Sequence, residues 1–174
     1  MHLLLRTLLL TAACAAPAAA SCLKMEGPAP GTTAGVGPLV ALPDGNVNLV
    51  PFQWSSGIWT AAGVATIVVS NWAAGSPVQE MNLNNISLQV LPAPAVATAT
   101  FNYADFGGNV NLRVNGALAN VADLSAVPAV LGGVGVVVTR INLFGYHFGT
   151  VTLNGVINGF TVGGQEFFVD DVCW

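Results

Sequence analysis

The last nine residues, 166-EFFVDDVCW-174, decide how this chain folds. Apolar and aromatic residues dominate the segment, as in a β-strand, but Asp170 and Asp171 stand side by side in it and Cys173 is next to last. Successive side chains of a strand point to opposite faces, so the two carboxylates do not share a face. One of them is therefore expected at solvent or in a turn, whereas the other faces inward and needs a partner.

Cys173 raises the question of its own partner. Cys14 lies in the N-terminal segment that we expect to be removed, which leaves Cys22 and Cys173. In an oxidising compartment the pair favours a disulfide, which requires the two Cα atoms to lie within about 7 Å of each other. The alternative makes Cys22 a lipidation site that anchors the chain at the cell envelope, because small residues precede it in "AAASC". The two alternatives exclude each other.

Residues 1–20 have the pattern of a secretory signal peptide. Arg6 precedes an apolar stretch from residue 7 to residue 16, and the small residues Ala18 and Ala20 mark a cleavage site after position 20. The apolar stretch is shorter than the roughly 20 residues that span a bilayer. The sequence therefore predicts a secreted protein, extracellular or periplasmic, with no transmembrane segment in the mature chain.

Charged residues are scarce, at 7% of the chain against an average of roughly 25%. Arg6 is one of the four basic residues, so the mature chain keeps three against eight acidic residues, a net charge of −5. Three scattered cations do not neutralise a phosphate backbone, which excludes nucleic acid as a partner. Uncharged polar surfaces suit neutral glycans as ligands, and they also suit subunits that pack against copies of themselves.

Residues 21–38 are rich in Gly, Pro and Thr and are predicted to form an extended lead-in, followed by a single β-sandwich domain over residues 39–174. Strict alternation, as in 109-NVNLRVN-115, is typical of half-buried strands. Hairpin turns are predicted at Asp44-Gly45, Gly107-Gly108, Asn115-Gly116, Asn154-Gly155 and Gly163-Gly164. About ten strands with turns at this spacing predict an all-β, antiparallel β-sandwich.

Two segments are apolar on both faces, 64-VATIVVSNW-72 and 134-VGVVVTRINLF-144. Such strands are expected at the centre of a sheet or at a subunit contact.

The inward aspartate at the C-terminus indicates a calcium site. Calcium takes six to eight oxygen ligands from carboxylates, Asn side chains and carbonyls. The candidate ligands are Asp170, Asp171 and Asp44, to which Asp105, Asn46 and Asn109 could add oxygens. The alternative is one exposed aspartate and one that caps a turn or protects an edge strand.

The ending "EFFVDDVCW" after "GTVTLNGVINGFTVGG" resembles the final strands of secreted jelly-roll modules of the carbohydrate-binding, galactose-binding-like type. It is also similar to secreted bacterial proteins with a Gly-Gly-Gln-Glu…Asp-Asp-Val-Cys ending, to which no activity is assigned. The resemblance implies a jelly-roll fold and a structural calcium held by an aspartate of the last strand, here Asp170.

The aromatic segment 51-PFQWSSGIW-59 is the candidate ligand-binding surface. Sugar rings stack their C–H faces on exposed aromatic rings, so Trp54 and Trp59, with Gln53 as a hydrogen-bonding group, are predicted to bind a glycan. The alternative is that these tryptophans fill the core, as they commonly do in sandwiches.

No catalytic pattern is present. The mature chain has a single histidine, His147, in the aromatic segment "FGYHFGT", and no partner is evident from the sequence. The chain has no G-x-S-x-G nucleophile motif and no zinc-ligand spacing. The sequence thus predicts a secreted binding module without enzymatic activity, for neutral glycans. The alternative is a structural or self-assembling protein of the cell surface or extracellular space.

Overall fold

The computed structural model of the chain describes residues 21–42, 45–70, 72–73 and 78–174. The predicted signal peptide, residues 1–20, and Asp44 lie outside these ranges. In the described ranges the chain forms β-strands and one 3-10 turn at Leu124–Ala126, with no α-helix. The prediction of an all-β chain is therefore confirmed. No helix in these ranges is long and apolar enough to cross a bilayer.

The strands form two antiparallel sheets that pack face to face. The nine-stranded sheet contains β1 (Cys22–Leu23), β2 (Thr33–Ala34), β6 (Val64–Val69), β7 (Gln79–Asn84), β9 (Val96–Asp105), β12 (Val130–Leu131), β13 (Val134–Leu143), β14 (Tyr146–Ile157) and β16 (Phe167–Cys173). The seven-stranded sheet contains β3 (Gly37–Leu42), β4 (Gly45–Gln53), β5 (Trp59–Thr60), β8 (Ile86–Pro92), β10 (Val110–Val114), β11 (Ala117–Val121) and β15 (Phe160–Gly164).

Eight of these strands pair in the order of a jelly roll. In the nine-stranded sheet, β16 lies between β7 and β9, and β14 pairs with the other side of β9. In the seven-stranded sheet, β15 lies between β8 and β10, and β11 pairs with the other side of β10. The last two strands are thus inserted between strands formed by earlier parts of the chain. The remaining strands extend the two sheets at their edges.

Aromatic side chains from both sheets meet in the core. The rings of Phe101 and Phe160 stack with centroids 6.1 Å apart, and those of Tyr103 and Phe167 stack at 5.8 Å. All four residues are at most 2% exposed. The first pair joins β9 to β15 across the two sheets, whereas the second lies between β9 and β16 of the nine-stranded sheet. Burying one such side chain contributes about 1.5 to 3 kcal/mol.

The C-terminal strand joins the two ends of the described chain. β1 pairs with β16, and a disulfide links Cys22 to Cys173, whose Cα atoms are 4.0 Å apart. Ser21 and Trp174 exchange two backbone hydrogen bonds of 2.9 and 2.8 Å next to it. The predicted disulfide is therefore present. A disulfide fits an oxidising, extracellular type of compartment, and with its sulfur bonded to Cys173, Cys22 has no thiol for a lipid.

A β-bulge explains the adjacent aspartates. Asp170 is opposite Asn102 of β9, but Cys173 is opposite Thr100, so β16 carries one extra residue between these pairs. Asp171 takes a φ of +46° at this point, a conformation that aspartate tolerates better than most residues. Beyond the bulge Val172 turns into the core, although strict alternation would place it on the same face as Asp170.

The segment predicted as an extended lead-in takes part in the sandwich. Residues 21–38 contribute β1, β2 and the start of β3, and the boundary expected at residue 39 falls inside β3. Met25 of this segment is only 2% exposed and belongs to the core.

Two of the predicted turns lie inside strands instead. Asn115-Gly116 joins β10 to β11 with positive φ at both residues, as expected. Asn154-Gly155, in contrast, forms an irregularity within β14. Gly163 and Gly164 lie within β15, where a Cβ on Gly163 would stand 2.2 Å from the carbonyl oxygen of Ile86. Close approach of β8, and not a turn, requires this glycine.

The two segments that are apolar on both faces do not form central strands, so the first of the two alternatives is wrong, whereas a subunit contact stays a prediction. Within the described ranges, only the two-residue strand β2 lies outside β6, and only β12 lies outside β13. Val69 of β6 and Val137 of β13 are more than half exposed. Apolar residues on two faces reflect here an open edge of the nine-stranded sheet.

Candidate functional site

The outer face of the seven-stranded sheet carries a row of polar side chains that crosses four strands. Gln89 of β8 lies opposite Asn48 of β4 on one side and Thr161 of β15 on the other. Thr161 lies opposite Arg113 of β10. Leu112, the neighbour of Arg113, is buried in the core, so the row points away from it. The alternation of the strands thus produces a continuous polar stripe.

A groove of about 450 Å³ runs along this stripe, a size in the range of small-ligand sites. Its lining includes Trp59, Ser87, Gln89, Asn111, Arg113 and Thr161. A second hollow of about 280 Å³ shares Gln89, Arg113 and Thr161 with it, so the two form one extended depression. The lining combines apolar residues, among them Val50, Pro51 and Leu118, with uncharged side chains that donate and accept hydrogen bonds.

The hairpin from β4 to β5 forms one wall of the groove, and Asn111 holds it in place. The Oδ1 atom of Asn111 accepts a hydrogen bond from the backbone N–H of Gln53 at 2.7 Å, while its Nδ2 donates to the Gln53 carbonyl at 3.0 Å. Asn111 is 1% exposed, so these bonds also satisfy an otherwise unpaired buried amide. They fix the hairpin whose far strand carries Trp59.

Two further asparagines strengthen this attachment. The Nδ2 of Asn109 donates to the same Gln53 carbonyl at 2.8 Å. The Nδ2 of Asn120 donates to the Trp54 carbonyl at 2.8 Å and to Oε1 of Gln53 at 3.2 Å. Three asparagines from β10, β11 and the turn before them therefore clamp the start of the hairpin.

Only one of the three predicted ligand residues lines the groove. Trp59 does so and is 44% exposed. Trp54 is half-buried and packs edge-on against the core residue Phe52, with ring centroids 5.7 Å apart. The Nε2 of Gln53 donates to the carbonyl of Gly57 at 2.9 Å, so the side chain of Gln53 serves the hairpin itself.

Arg113 and Asn111 are the groove residues that sequence reasoning missed. Both stand in 109-NVNLRVN-115, where alternation already placed them on the face opposite to the buried Val110, Leu112 and Val114. The guanidinium carbon of Arg113 lies 5.1 Å from the ring centroid of Trp59, a cation–π contact. The sequence shows which face these residues take, but only the fold brings Trp59 over that face.

The outer face of the nine-stranded sheet carries a different surface. Trp72 packs against Phe106 and Phe148 there, with centroids 5.2 and 6.3 Å apart. Phe106 also contacts Tyr146 and Phe168. We refer to these five rings as the aromatic cluster. Phe106 lies at its centre, in contact with the other four rings.

A buried carboxylate fixes Trp72 in this cluster. Glu80 is 1% exposed, and its Oε1 accepts hydrogen bonds from the Ser70 hydroxyl and, at 2.9 Å, from the Trp72 backbone N–H. Its Oε2 accepts one from the Ala73 N–H at 2.6 Å. Three donors thus compensate the burial of the charge.

Of the three residues predicted to bind calcium, the structure describes Asp170 and Asp171, and the prediction stays untested. Asp170 is buried and its Oδ1 accepts a hydrogen bond from the Asp171 N–H at 2.8 Å, as in a local turn. Asp44 lies outside the described residues. No group of three or more His, Cys, Asp or Glu side chains suited to a metal ion is found in the described residues. These residues therefore supply no argument for a calcium ion.

His147 does have charged partners, contrary to the expectation from the sequence. Its Nδ1 lies 3.3 Å from Oδ2 of Asp123 and 3.9 Å from Oδ2 of Asp105. Arg140 contacts both Asp123, at 2.6 Å, and the other ring nitrogen of His147, at 3.1 Å. These four residues lie apart in the sequence, so the sequence alone does not reveal the cluster.

Burial raises the pKa of Asp105 above its ordinary value, and the negative charge of Asp123 acts in the same direction. The hydrogen bond from the Gly107 N–H, at 3.0 Å, and the neighbouring His147 oppose this shift. The Oδ2 atom of Asp105 is buried and has no hydrogen-bond partner in the described structure. Hydrogen bonds to Asp105 thus offset only part of the cost of burying its carboxylate.

No protein-family model, curated protein or solved structure shows a significant match to this chain.

Proposed function

We propose that this chain is a secreted, non-catalytic module that binds glycans in the groove of the seven-stranded sheet. The observation that carries the proposal is the groove itself: a depression beside the exposed Trp59, in which amide and hydroxyl side chains alternate with apolar ones. Sugars present many hydroxyl groups and apolar C–H faces. Amides and hydroxyls that donate and accept match the former, and an indole ring matches the latter.

The composition of the groove favours binding over cleavage. Glycoside hydrolysis generally uses two carboxyl groups on either side of the scissile bond. The groove lining that the structure describes contains no Asp, Glu or His. Secretion is supported by the signal pattern of residues 1–20 and by the disulfide between Cys22 and Cys173.

Two tryptophan variants on a glycan array test the proposal. Trp59→Ala should lower glycan affinity about 10-fold or more, as expected for a central aromatic contact. Trp72→Ala is the matched control, because Trp72 is similarly exposed, 49% against 44%, but lies on the other sheet. Absence of binding to every glycan, or equal affinity of Trp59→Ala and the unmodified protein, would overturn the proposal.

Self-association is a second candidate function, which the edge strand β13 favours. In the described chain β12 pairs with β13 only at Val134 and Gly135. Beyond them, Val137, Ile141 and Leu143 form an apolar stripe on the outer face, each at least 50% exposed. An edge strand with apolar, exposed side chains and little charge readily pairs with another strand.

Sedimentation velocity tests this second function. A protein that assembles through β13 should form oligomers at high concentration, and Ile141→Lys should return it to the monomer by placing a charge in the stripe. A strictly monomeric protein at the highest soluble concentration would eliminate self-association as the function.

A further inference from the structure

We infer that the groove binds an acidic saccharide, whose carboxylate or sulfate group pairs with Arg113. This inference rests on the proposed function and departs from the neutral ligand that the composition of the chain predicts. It identifies one cation as the residue that determines ligand class.

Arg113 lies at the junction of the groove. It lines both the larger and the smaller hollow, together with Gln89 and Thr161. In the cross-strand row it stands next to Thr161, with Leu118 on its other side. A saccharide long enough to occupy both hollows would therefore pass over the guanidinium group.

Among the residues that the structure describes, no acidic side chain pairs with the charge of Arg113. The ion pairs of the described chain involve Arg140 and His147, and none involves Arg113. None of the described residues that line the two hollows is acidic. The contact with Trp59 partly stabilises the charge, but an indole ring face offers no oxygen to accept the five N–H donors of the guanidinium. These donors remain available to a ligand.

An oxyanion on a sugar ring fits this arrangement. Guanidinium groups bind carboxylates and similar oxyanions through two parallel hydrogen bonds, and charge-assisted bonds are stronger than neutral ones. Thr161 lies opposite Arg113, and Gln89 lies opposite Thr161 on the next strand, so both can bind hydroxyl groups of the same ligand. The whole chain has a formal net charge of −4, so its overall field does not attract anions. Selectivity for an acidic sugar must therefore come from Arg113 itself.

The test uses matched pairs of oligosaccharides on one array: uronate-containing oligosaccharides with their carboxyl-reduced forms, and sulfated oligosaccharides with their desulfated forms. We expect the protein to prefer the acidic member of at least one pair, and the two kinds of pair distinguish carboxylate from sulfate. Arg113→Gln should lower affinity for that acidic member about 10- to 100-fold, the loss expected for a charge-assisted hydrogen bond. Affinity for its neutral counterpart should change less than about 2-fold.

Two further variants separate charge from geometry. Arg113→Lys keeps the charge but not the planar donor pattern, so it should give an intermediate affinity for the acidic member. Lys24→Gln removes the same charge from an exposed position outside the groove and should leave affinity unchanged. A near-ultraviolet circular dichroism spectrum equal to that of the unmodified protein shows that each variant is folded.

The outcomes distinguish the two proposals. Equal binding of acidic and neutral members, with Arg113→Gln unchanged, would overturn the role of Arg113 and leave glycan binding intact. Binding to no member of the array would overturn the proposed function and this inference with it. An equal loss in Lys24→Gln would show that only overall charge matters, which also contradicts the inference.

Discussion

Two tryptophans of nearly equal exposure, Trp59 and Trp72, stand on the outer faces of the two sheets. Trp72 packs against Phe106 and Phe148, so much of its surface contributes to stability. Trp59 contacts the guanidinium of Arg113 beside an open groove. Under the proposed function, the neighbours of an aromatic ring, and not its exposed fraction, distinguish a ring that serves stability from one that serves binding.

Each tryptophan also depends on a buried polar anchor. Glu80 accepts three hydrogen bonds from residues 70–73 and so holds Trp72. Asn111 both donates to and accepts from the Gln53 backbone and so holds the hairpin of Trp59. A carboxylate suits a segment that presents only donors, whereas an amide suits one that presents a donor and an acceptor.

Removing the disulfide should have the largest effect on the free energy of unfolding, and it should affect both faces equally. Both faces cover one core, so unfolding of either sheet should take the other with it. Replacing Cys22 and Cys173 by Ala opens a loop with a sequence separation of 151 residues, which should lower the free energy of unfolding by about 4 to 5 kcal/mol. Urea denaturation followed by circular dichroism measures this change. A reductant should lower the stability of the unmodified protein and leave that of the double variant unchanged. Two separate unfolding transitions in urea would contradict a single core.

Glu80→Gln should break the anchor of the aromatic cluster. Both carboxylate oxygens of Glu80 accept hydrogen bonds from backbone N–H groups, so the NH₂ group of a glutamine would place a donor against a donor. A charge-assisted hydrogen bond would also be lost at a position that is 1% exposed. We expect the free energy of unfolding to fall by about 2 to 4 kcal/mol, while glycan affinity at the other sheet stays constant. Denaturation and array measurements on the same preparation check both parts. Reduced glycan affinity in the folded variant would show that the two faces are coupled.

Asn111→Ala, unlike Glu80→Gln, should lower the affinity for glycans. The Gln53 N–H loses its acceptor, whereas the Gln53 carbonyl keeps the donor of Asn109. The free energy of unfolding should fall by about 1 to 2 kcal/mol, and glycan affinity should fall because Trp59 is no longer fixed. Asn46→Ala, at an exposed position of β4, is the control and should change neither quantity. An Asn111→Ala variant with full glycan affinity would disprove the role of the anchor.

The smallest effect concerns Asp105, a buried carboxylate that, unlike Glu80, lacks a full set of donors. Its pKa is raised in the folded protein, so the folded state holds the proton more tightly than the unfolded state. The contribution of Asp105 to stability should therefore be complete below about pH 4, the ordinary range of Asp, and should decline as the pH rises through the raised pKa. Asp105→Asn should remove this decline. Urea midpoints between pH 3 and pH 7 for both proteins test it, and parallel curves would contradict it.

The sequence predicts the strands better than their places in the sheets. Alternation in 109-NVNLRVN-115 correctly assigns Leu112 to the core and Arg113 to the outer face, since this pattern is local. The Gly163-Gly164 pair is wrongly predicted as a turn, because the close approach of Ile86 that requires Gly163 depends on a strand far away in the sequence. Propensity cannot distinguish these two uses of glycine.

In the candidate site, too, the sequence predicts what depends on one residue and not what depends on contacts between distant strands. Trp59 was predicted from its residue type, but Asn111 and Arg113 were not, because their roles arise only when β10 and the hairpin of Trp59 meet. In the same way, His147 has no partner in the sequence but meets Asp105 and Asp123 in the fold.

The sequence by itself determined the all-β character, because alternation is a local property. It reduced the partners of Cys173 to Cys22 but left a lipidated Cys22 open, and the pairing of β1 with β16 brings the two sulfurs together. Only the tertiary structure decided which polar residues share a surface, because hydrogen bonds and charges act over a few ångströms between strands that lie far apart along the chain. The jelly-roll order of the strands brings Arg113, Gln89 and Trp59 to one groove.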